Sequence, residues 1–210
     1  MLRTVILDCD GVMFDSKDAN CAYYNHLLAT FSCPAMSAAE IEHVHIHNVW
    51  ESVRHIFRHY PHIDEEAVHR FRLQGDYRPF LNYMRMEPDL LDFLNKTRGR
   101  YHLAIATNRT NTMLPILEQF QLTAYFGKVM TAENSRRPKP APDPLLEILE
   151  YFGCPVDEAI YVGDSTIDAE SASSCGMRLI AFRNPQLPAA YHVDSFMAIL
   201  QLPPFTDRAR

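Results

Sequence analysis

The sequence has few cysteines, and none of them are spaced like the ligands of a metal site or the pair of a redox site. Five cysteines are scattered along 210 residues, and no C-x-x-C motif is present. A disulfide framework and a structural zinc site are therefore both disfavoured, and free thiols fit a reducing cytosol. The five are Cys9, Cys21, Cys33, Cys154 and Cys175.

The sequence also lacks any apolar run long enough to cross a membrane. The first apolar run, in MLRTVILDCD, is interrupted by Asp8 and Asp10. A signal peptide needs a longer apolar stretch and a membrane span needs about 20 such residues. We therefore expect a cytoplasmic protein with no membrane partner.

An excess of positive charge is absent as well. Twenty Lys and Arg residues face 26 Asp and Glu residues, which gives a net charge of −6. Nucleic-acid-binding surfaces need clustered basic residues, so no nucleic-acid partner is expected. Hydrophobic residues make up 47% of the chain, enough for a core. The length suits one α/β domain with an inserted module, or two small domains. Nothing in the sequence indicates an oligomeric state.

Short apolar runs alternate with helical patterns over most of the chain. The runs at 4–7, 102–106, 128–130, 159–162 and 178–182 predict buried strands. Helices are predicted at 89–98, 143–152 and 165–176. Asp143 is expected to cap the second of these, with Pro144 at its first position and Gly153 at its end. The alternation predicts an α/β fold with a doubly wound, Rossmann-like parallel sheet.

One long segment interrupts this alternation. Residues 16–85 contain no convincing strand. Ser37 and Glu40 form a capping-box pattern, and Asn48 and Asp64 are suitable N-caps for two more helices. We therefore predict a catalytic core formed by 1–15 and 86–210, with an all-helical module inserted at 16–85. Hinges are expected near residues 14–16 and 84–88.

The first polar cluster, Asp8-Cys9-Asp10-Gly11-Val12, follows the first predicted strand. Alternate residues of an extended chain point the same way, so Asp8 and Asp10 can converge on one ligand. Such a pair suits a magnesium site, or a nucleophile with an adjacent acid/base. The alternative is a polar strand end with a turn at Gly11.

The second cluster is Thr107-Asn108, after the strand predicted at 102–106. A hydroxyl and free backbone N–H groups at this place can hold phosphate oxygens. The alternative is that these residues cap a helix beginning near Thr110.

The third cluster centres on Lys139, which prolines flank on both sides. Prolines make the loop rigid, and a fixed lysine can offset negative charge on a nucleophile and a transferred phosphoryl group. The alternative is a solvated basic loop.

The fourth cluster, Gly163-Asp164-Ser165-Thr166-Ile167-Asp168, follows the strand predicted at 159–162. Asp164 is well placed as a metal ligand. Asp168 lies three residues after Ser165, so it either completes a capping box or supports the metal site from behind. In open α/β sheets, ligands bind at the carboxyl ends of the strands, where all four clusters are predicted to lie.

Together, these four motifs resemble those of the haloacid dehalogenase superfamily, and the helical insert resembles its type 1 cap, as in phosphoglycolate-phosphatase-like and β-phosphoglucomutase-like members. The resemblance implies that Asp8 is the nucleophile and Asp10 the acid/base. It implies that Thr107, Lys139 and Asn108 hold the phosphoryl group. It also implies a Mg²⁺ cofactor at Asp8, the backbone carbonyl of Asp10, Asp164 and, behind them, Asp168. The expected function is Mg²⁺-dependent hydrolysis of a small phosphorylated metabolite through an aspartyl-phosphate.

Several rival functions share this resemblance. Dehalogenases lack the second aspartate of the first motif, which is Asp10 here. Phosphonatases need a cap lysine, and Lys17 at the edge of the module is the only lysine between residues 1 and 95. A sugar-phosphate mutase of the β-phosphoglucomutase type remains an alternative, although Trp50 stands near the place of the arginine typical of those enzymes. A catalytically silent or signalling protein is a further alternative.

The module is rich in histidine, with seven between residues 43 and 69. A second metal site is one interpretation, and a helical surface with some packed histidines is the other. By analogy with the family, the segment from His45 to Arg54 lies near the mouth of the site. We therefore expect His47, Trp50 or Arg54 to contact the part of the substrate that is not phosphate.

Overall fold

The computed structural model describes residues 1–206, apart from the side chain of Ile46. Its main sheet has six strands in the order β5-β4-β1-β6-β7-β8, and all neighbours are parallel. The strand order turns in opposite directions on the two sides of β1, which makes the end of β1 a topological switch point. The strands are β1 (Thr4–Leu7), β2 (Phe14–Asp15), β3 (Arg85–Met86), β4 (His102–Ala106), β5 (Lys128–Met130), β6 (Ala159–Gly163), β7 (Arg178–Phe182) and β8 (Tyr191–Val193).

Ten helices accompany these strands in the described part of the chain. Four lie between β2 and β3, namely α1 (Lys17–Thr30), α2 (Ala38–Ile46), α3 (Val49–Phe57) and α4 (Glu65–Gln74). The other six are α5 (Leu90–Thr97), α6 (Met113–Gln119), α7 (Asp143–Phe152), α8 (Thr166–Ser174), α9 (Phe196–Ile199) and α10 (Pro203–Thr206). No helix among the described residues is long and apolar enough to cross a membrane.

Helices cover both faces of the sheet, because alternate strand residues point to opposite sides. On one face, Val5 and Leu7 of β1 pack with α5, α6 and α9. On the other face, Ile6 packs with α7 and α8. The predicted doubly wound α/β fold is confirmed, and all five predicted strands form.

The four inserted helices have a core of their own. Tyr24, Leu27, Val53, Ile56 and Val68 form a buried cluster with no residue from the main sheet. The local signals for these helices are confirmed. A capping box joins Ser37 and Glu40, and the side chains of Asn48 and Asp64 accept backbone N–H groups at the starts of α3 and α4.

A short antiparallel ribbon connects this helical segment to the sheet. Phe14 of β2 pairs with Met86 of β3, and Asp15 pairs with Arg85. The ribbon lies where the hinges are expected. Its two strands have only two residues each, too few to give a pattern that the sequence reveals.

Two sequence predictions about helix starts are wrong. Pro142 occupies the N-cap of α7, so Asp143 is the first helical residue, and its carboxylate pairs with Arg137 at 2.8 Å. The helix expected near Thr110 begins at Met113, because residues 107–112 form a loop in which Arg109 donates hydrogen bonds to Thr107 and Thr112.

Candidate active site

The first motif lies at the carboxyl end of β1, where the backbone leaves the sheet. Asp8 continues the ladder by donating its backbone N–H to Val162 O at 2.9 Å, and its side chain is buried. Gly11 follows with φ +74°, and a Cβ there would lie 1.9 Å from Asp164 Oδ2. Gly11 therefore lets the loop pass against the carboxylate of Asp164, which no larger residue permits.

Lys139 is buried beneath the nucleophile candidate. Its ammonium lies 2.8 Å from Asp8 Oδ1, 2.7 Å from Asp168 Oδ1 and 2.9 Å from the hydroxyl of Tyr161. Burial alone would lower the pKa of Lys139, but the two carboxylates raise it above its ordinary value. The ammonium is thus permanently charged and held on Asp8, and the alternative of a solvated lysine is wrong.

Asp8, Asp164 and Asp168 bring one carboxylate oxygen each to within 4.8 Å of the others. Burial raises the pKa of Asp8 well above its usual range. Burial, followed by the charge of Asp168, raises the pKa of Asp164 to about 7. Both carboxylates therefore need a further positive charge to stay ionised, in addition to Lys139.

Asp168 forms the predicted capping box, and it also contacts Lys139. Its Oδ2 accepts the backbone N–H groups of Asp164 and Ser165, and Ser165 Oγ completes a capping box at the start of α8. Its Oδ1 contacts Lys139 and the hydroxyl of Tyr161. Burial would raise the pKa of Asp168, but Lys139 outweighs it and the net shift is downward. Asp168 is therefore an anion that fixes both Lys139 and the loop carrying Asp164.

The acidic group fits a hard divalent cation. Carboxylate oxygens are the ligands that Mg²⁺ prefers. Asp8 and Asp164 are destabilised as anions without such a charge. The Asp10 carboxylate does not belong to this group. Among the described residues, no histidine belongs to a group of three potential metal ligands.

The carboxylate of Asp10 is held by Arg109 and Ser16. Arg109 Nη2 lies 2.6 Å from Asp10 Oδ1, which also accepts the hydroxyl of Ser16. Burial would raise the pKa of Asp10, but the charge of Arg109 lowers it overall. Arg109 was not predicted from the sequence, although it directly follows Thr107 and Asn108.

Thr107 and Asn108 line the same cavity as Asp8 and Lys139. The hydroxyl oxygen of Thr107 accepts the N–H of Arg109 at 3.1 Å, so its hydrogen is available to a ligand. Asn108 Nδ2 donates to the backbone oxygen of Lys139 at 2.9 Å. The two residues therefore connect the second motif to the third.

A cavity of about 120 Å³ lies between these residues and the inserted helices. Its lining includes Asp8, Asp10, Thr107, Lys139 and Asp164 from the sheet edge, and Tyr23, His45, His47, Arg72 and Tyr77 from the inserted segment. The volume is of the order of a benzene-sized cavity, so it fits a small ligand.

The three residues of the inserted segment that were expected to contact the substrate do not all lie at the cavity. His47 lines the cavity, and its Nδ1 lies 2.9 Å from the backbone oxygen of His43. Trp50 and Arg54 are outside the lining, and both are exposed. The ring of Trp50 lies instead beneath the guanidinium of Arg72, at 5.1 Å.

Three histidines stack beside the cavity. The ring of His43 lies between those of His47 and His55, with centroids 3.8 Å apart on each side. Burial, and then the nearby His47 and His55, lower the pKa of His43. Parallel rings direct their nitrogen atoms outward, so this arrangement is aromatic packing.

Comparison with known proteins decides the family. Residues 5–182 match the family model of haloacid dehalogenase-like hydrolases. The chain belongs to this family. A solved haloacid dehalogenase superfamily hydrolase of subfamily IA from Geobacter sulfurreducens PCA is 36% identical, with TM-score 0.84, over 96% of this chain and 99% of that one. The family prediction is confirmed.

Of two further relatives, one is similar in sequence over part of the chain and the other is similar in fold over nearly all of it. Phosphoglycolate phosphatase of Escherichia coli K12 is 35% identical over 91 residues, which are 42% of this chain and 36% of that protein. The chain thus matches less than half the length of that curated relative. CbbY from Rhodobacter sphaeroides, solved in complex with phosphate, shares the fold at 19% identity, with TM-score 0.82 over 96% of this chain and all of that one.

Proposed function

We propose that this chain is a Mg²⁺-dependent phosphatase that transfers the phosphoryl group of a small phosphomonoester to Asp8 and then to water. One observation carries the proposal. The buried carboxylate of Asp8 borders the cavity, with the ammonium of Lys139 at 2.8 Å and with carboxylate oxygens of Asp164 and Asp168 within 4.8 Å. A permanent cation and a cation site around one carboxylate suit the charge of phosphoryl transfer.

The first step uses Asp8 and Asp10. A carboxylate oxygen of Asp8 attacks phosphorus, and the bond from phosphorus to the ester oxygen breaks. Asp10 is the proposed proton donor to that oxygen, which leaves as an alcohol. Because the charge of Arg109 lowers the pKa of Asp10, this step requires the carboxyl group to leave Arg109 and take up a proton from water when the substrate binds. The hydroxyl of Thr107, with its free hydrogen, donates to a phosphoryl oxygen, and Lys139 offsets the negative charge beside Asp8.

The second step returns Asp8 to its initial state. Water attacks phosphorus, Asp10 takes the proton of that water, and the bond from phosphorus to the Asp8 oxygen breaks. The Asp8 and Asp164 carboxylates and the Asp10 backbone carbonyl would hold Mg²⁺, which would supply positive charge for the phosphoryl oxygens. Asp168 keeps the loop of Asp164 in place through three hydrogen bonds.

We further propose that residues 1–15 and 86–210 form the catalytic core, and that residues 16–85 form a cap domain that closes the site. The separate core of the inserted helices and the ribbon of β2 and β3 support this division. The proposed substrate is a small phosphorylated metabolite, because the cavity is small. A cytoplasmic location is proposed as well, and the five free cysteines support it.

A phosphate-release assay tests the proposed function. Purified protein is incubated with a panel of small phosphomonoesters with and without Mg²⁺, and Asp8→Asn serves as the blank. We expect turnover that requires Mg²⁺ and disappears in the blank. A sugar-phosphate mutase would instead convert one sugar phosphate into its isomer with little phosphate release. Absence of turnover across the panel would contradict the proposal.

A further inference from the structure

Arg72 of α4 is a buried cation without a carboxylate partner. Its side chain is only 4% exposed, and it lines the cavity together with Asp8 and Lys139. No acidic side chain among residues 1–206 lies within ion-pair distance of its guanidinium. Buried arginines are normally paired, because an isolated buried charge is costly.

The neighbours of Arg72 hold it in one orientation. Its Nε donates to His69 Nδ1 at 3.0 Å, and its Nη1 donates to Thr110 Oγ1 at 3.2 Å. The ring of Trp50 covers one face, with Cζ 5.1 Å from the ring centroid. Burial and the charge of Arg72 lower the pKa of His69, which keeps that imidazole a neutral acceptor.

These contacts leave part of the guanidinium free for a ligand. A guanidinium carries five N–H groups, and the two hydrogen bonds described above use two of them. The remaining N–H groups belong to a planar fork that matches the oxygens of a carboxylate or phosphate. Arg109, the other arginine lining the cavity, is already paired with Asp10.

We propose that Arg72, supported by Thr110, His69 and Trp50, binds an oxyanion on the leaving group of the substrate. This inference rests on the proposed phosphatase function and adds a substrate class to it: phosphomonoesters with a second anionic group a few bonds from the transferred phosphoryl group. Thr110 follows the second motif closely, so the subsite joins the inserted helices to the loop that carries Thr107.

The test compares matched phosphoesters. Carboxymethyl phosphate and phosphonomethyl phosphate carry a second anion, as a carboxylate and as a phosphonate that stands in for a phosphate, and 2-hydroxyethyl phosphate is a neutral analogue of similar size. We expect the protein to prefer at least one of the two anionic compounds over the neutral one by about thirtyfold in kcat/KM, the size of one charge-assisted contact. Which of the two is preferred distinguishes a carboxylate from a phosphate.

Substitutions then assign that preference to Arg72. Arg72→Met should lower kcat/KM for the preferred anionic ester by about thirtyfold and change the neutral ester less than threefold. Arg72→Lys should restore part of the loss, because a charge remains but the fork is absent. Arg70→Met on the same helix is the control, since Arg70 is exposed and pairs with Asp64 and Glu66. Equal losses on all esters would overturn the proposal, as would a wild-type protein without preference.

Two measurements keep the outcomes distinct. If Arg72→Met does not fold, as judged by circular dichroism, the Arg72→Lys variant decides: an unchanged substrate preference overturns the inference. Calorimetric binding of the same esters to Asp8→Asn needs no turnover. If no ester is hydrolysed but the anionic ester binds Asp8→Asn more tightly than the neutral one, and Arg72→Lys weakens this difference, the subsite stands and the proposed phosphatase function fails.

Discussion

Single side chains decide how the charge of this site is arranged. The ammonium of Lys139 donates hydrogen bonds to Asp168 and Tyr161, and it lies 2.8 Å from Asp8 Oδ1 as an ion pair. The hydroxyl of Tyr161 also lies 3.1 Å from the backbone oxygen of Ala106 in β4. Tyr161 therefore connects the lysine to the sheet, and because it is not among the residues lining the cavity we expect it to act through Lys139.

Replacing Tyr161 with phenylalanine should reduce catalysis more than binding. The ammonium loses one of its three fixed contacts, and a hydrogen bond to a charged group contributes about 1.5–3 kcal/mol. We expect kcat for 4-nitrophenyl phosphate to fall about tenfold while KM stays within twofold. Tyr151→Phe, at an exposed position of α7, should change neither constant. A rise in KM with unchanged kcat would show that Tyr161 contacts the substrate.

The raised pKa of Asp164 predicts how the free energy of unfolding of the metal-free protein depends on pH. The pKa is about 7 in the folded chain and 3.8 in the unfolded chain, so the folded state binds an extra proton between these pH values. The free energy of unfolding should therefore fall as pH rises from about 4 to 7, and this contribution should level off above 7. Asp164→Asn removes the effect and should stabilise the metal-free protein at pH 8 by up to about 4 kcal/mol.

Chemical denaturation at several pH values, with and without Mg²⁺, measures this difference. Excess Mg²⁺ should raise the stability of the wild-type protein at pH 8 and leave Asp164→Asn unchanged. Asp92→Asn, in the exposed part of α5, is the matched control and should follow the wild type in both conditions. Equal Mg²⁺ stabilisation of Asp164→Asn would show that the metal binds elsewhere.

At the residue scale, the sequence indicated the proposed reacting groups better than their supports. Asp8, Thr107 and Asp164 directly follow strands and Lys139 lies between prolines, so a local pattern is visible at each. Arg109 was missed because its partner Asp10 is 99 residues away, and only the fold brings them together. Tyr161 lies inside an apolar strand, where its only signal is that a buried hydroxyl needs a partner.

At the scale of single elements, the turn at Gly11 decides how closely the loop after β1 approaches the loop after β6. Gly11 has φ +74° and passes against Asp164, whereas Gly153 has φ +57° at the end of α7 with no atom within 4 Å of a Cβ placed there. The two glycines share a backbone conformation and differ in their surroundings. Substitutions at the two glycines therefore distinguish the effect of backbone strain from the effect of the close approach to Asp164.

Gly11→Ala and Gly153→Ala should have different consequences. Both place a side chain in the left-handed region, which costs about 1–2 kcal/mol of stability. Only Gly11→Ala would also displace Asp164, so we expect it to abolish phosphate release and Mg²⁺ stabilisation. Gly153→Ala should keep its activity despite a lower thermal midpoint. Normal activity of Gly11→Ala would contradict the assigned contact between this loop and Asp164.

Elements with a local signal were the ones that the sequence predicted. Ser37, Asn48 and Asp64 cap helices through hydrogen bonds spanning two or three residues, and all three predictions are confirmed. Strand β8 was missed because His192 interrupts its apolar residues, and it forms by pairing with β7. The wrong cap at Asp143 has a similar cause, since its contact with Arg137 depends on how the preceding loop folds.

At the scale of the whole molecule, the inserted helices and the sheet have separate cores. The buried cluster around Ile56 contains residues of 24–68 alone, and the clusters on the two faces of the sheet contain no residue of α2, α3 or α4. Contact between the two parts is concentrated at the start of α1, the 3₁₀ turn Arg78–Tyr83 and the polar cavity. Separate cores allow one part to open while the other stays folded.

Substitutions in the two cores should therefore affect different parts of the chain. Ile56→Ala removes a side chain that is 2% exposed, which costs about 2–5 kcal/mol. Hydrogen exchange measured by segment should accelerate in α1–α4 and stay near wild type in β1, β4 and β6. Ile148→Ala in α7 is the matched change on the sheet and should accelerate exchange in those strands. If Ile56→Ala accelerates exchange equally everywhere, the two cores unfold as one unit and the proposed cap does not open independently.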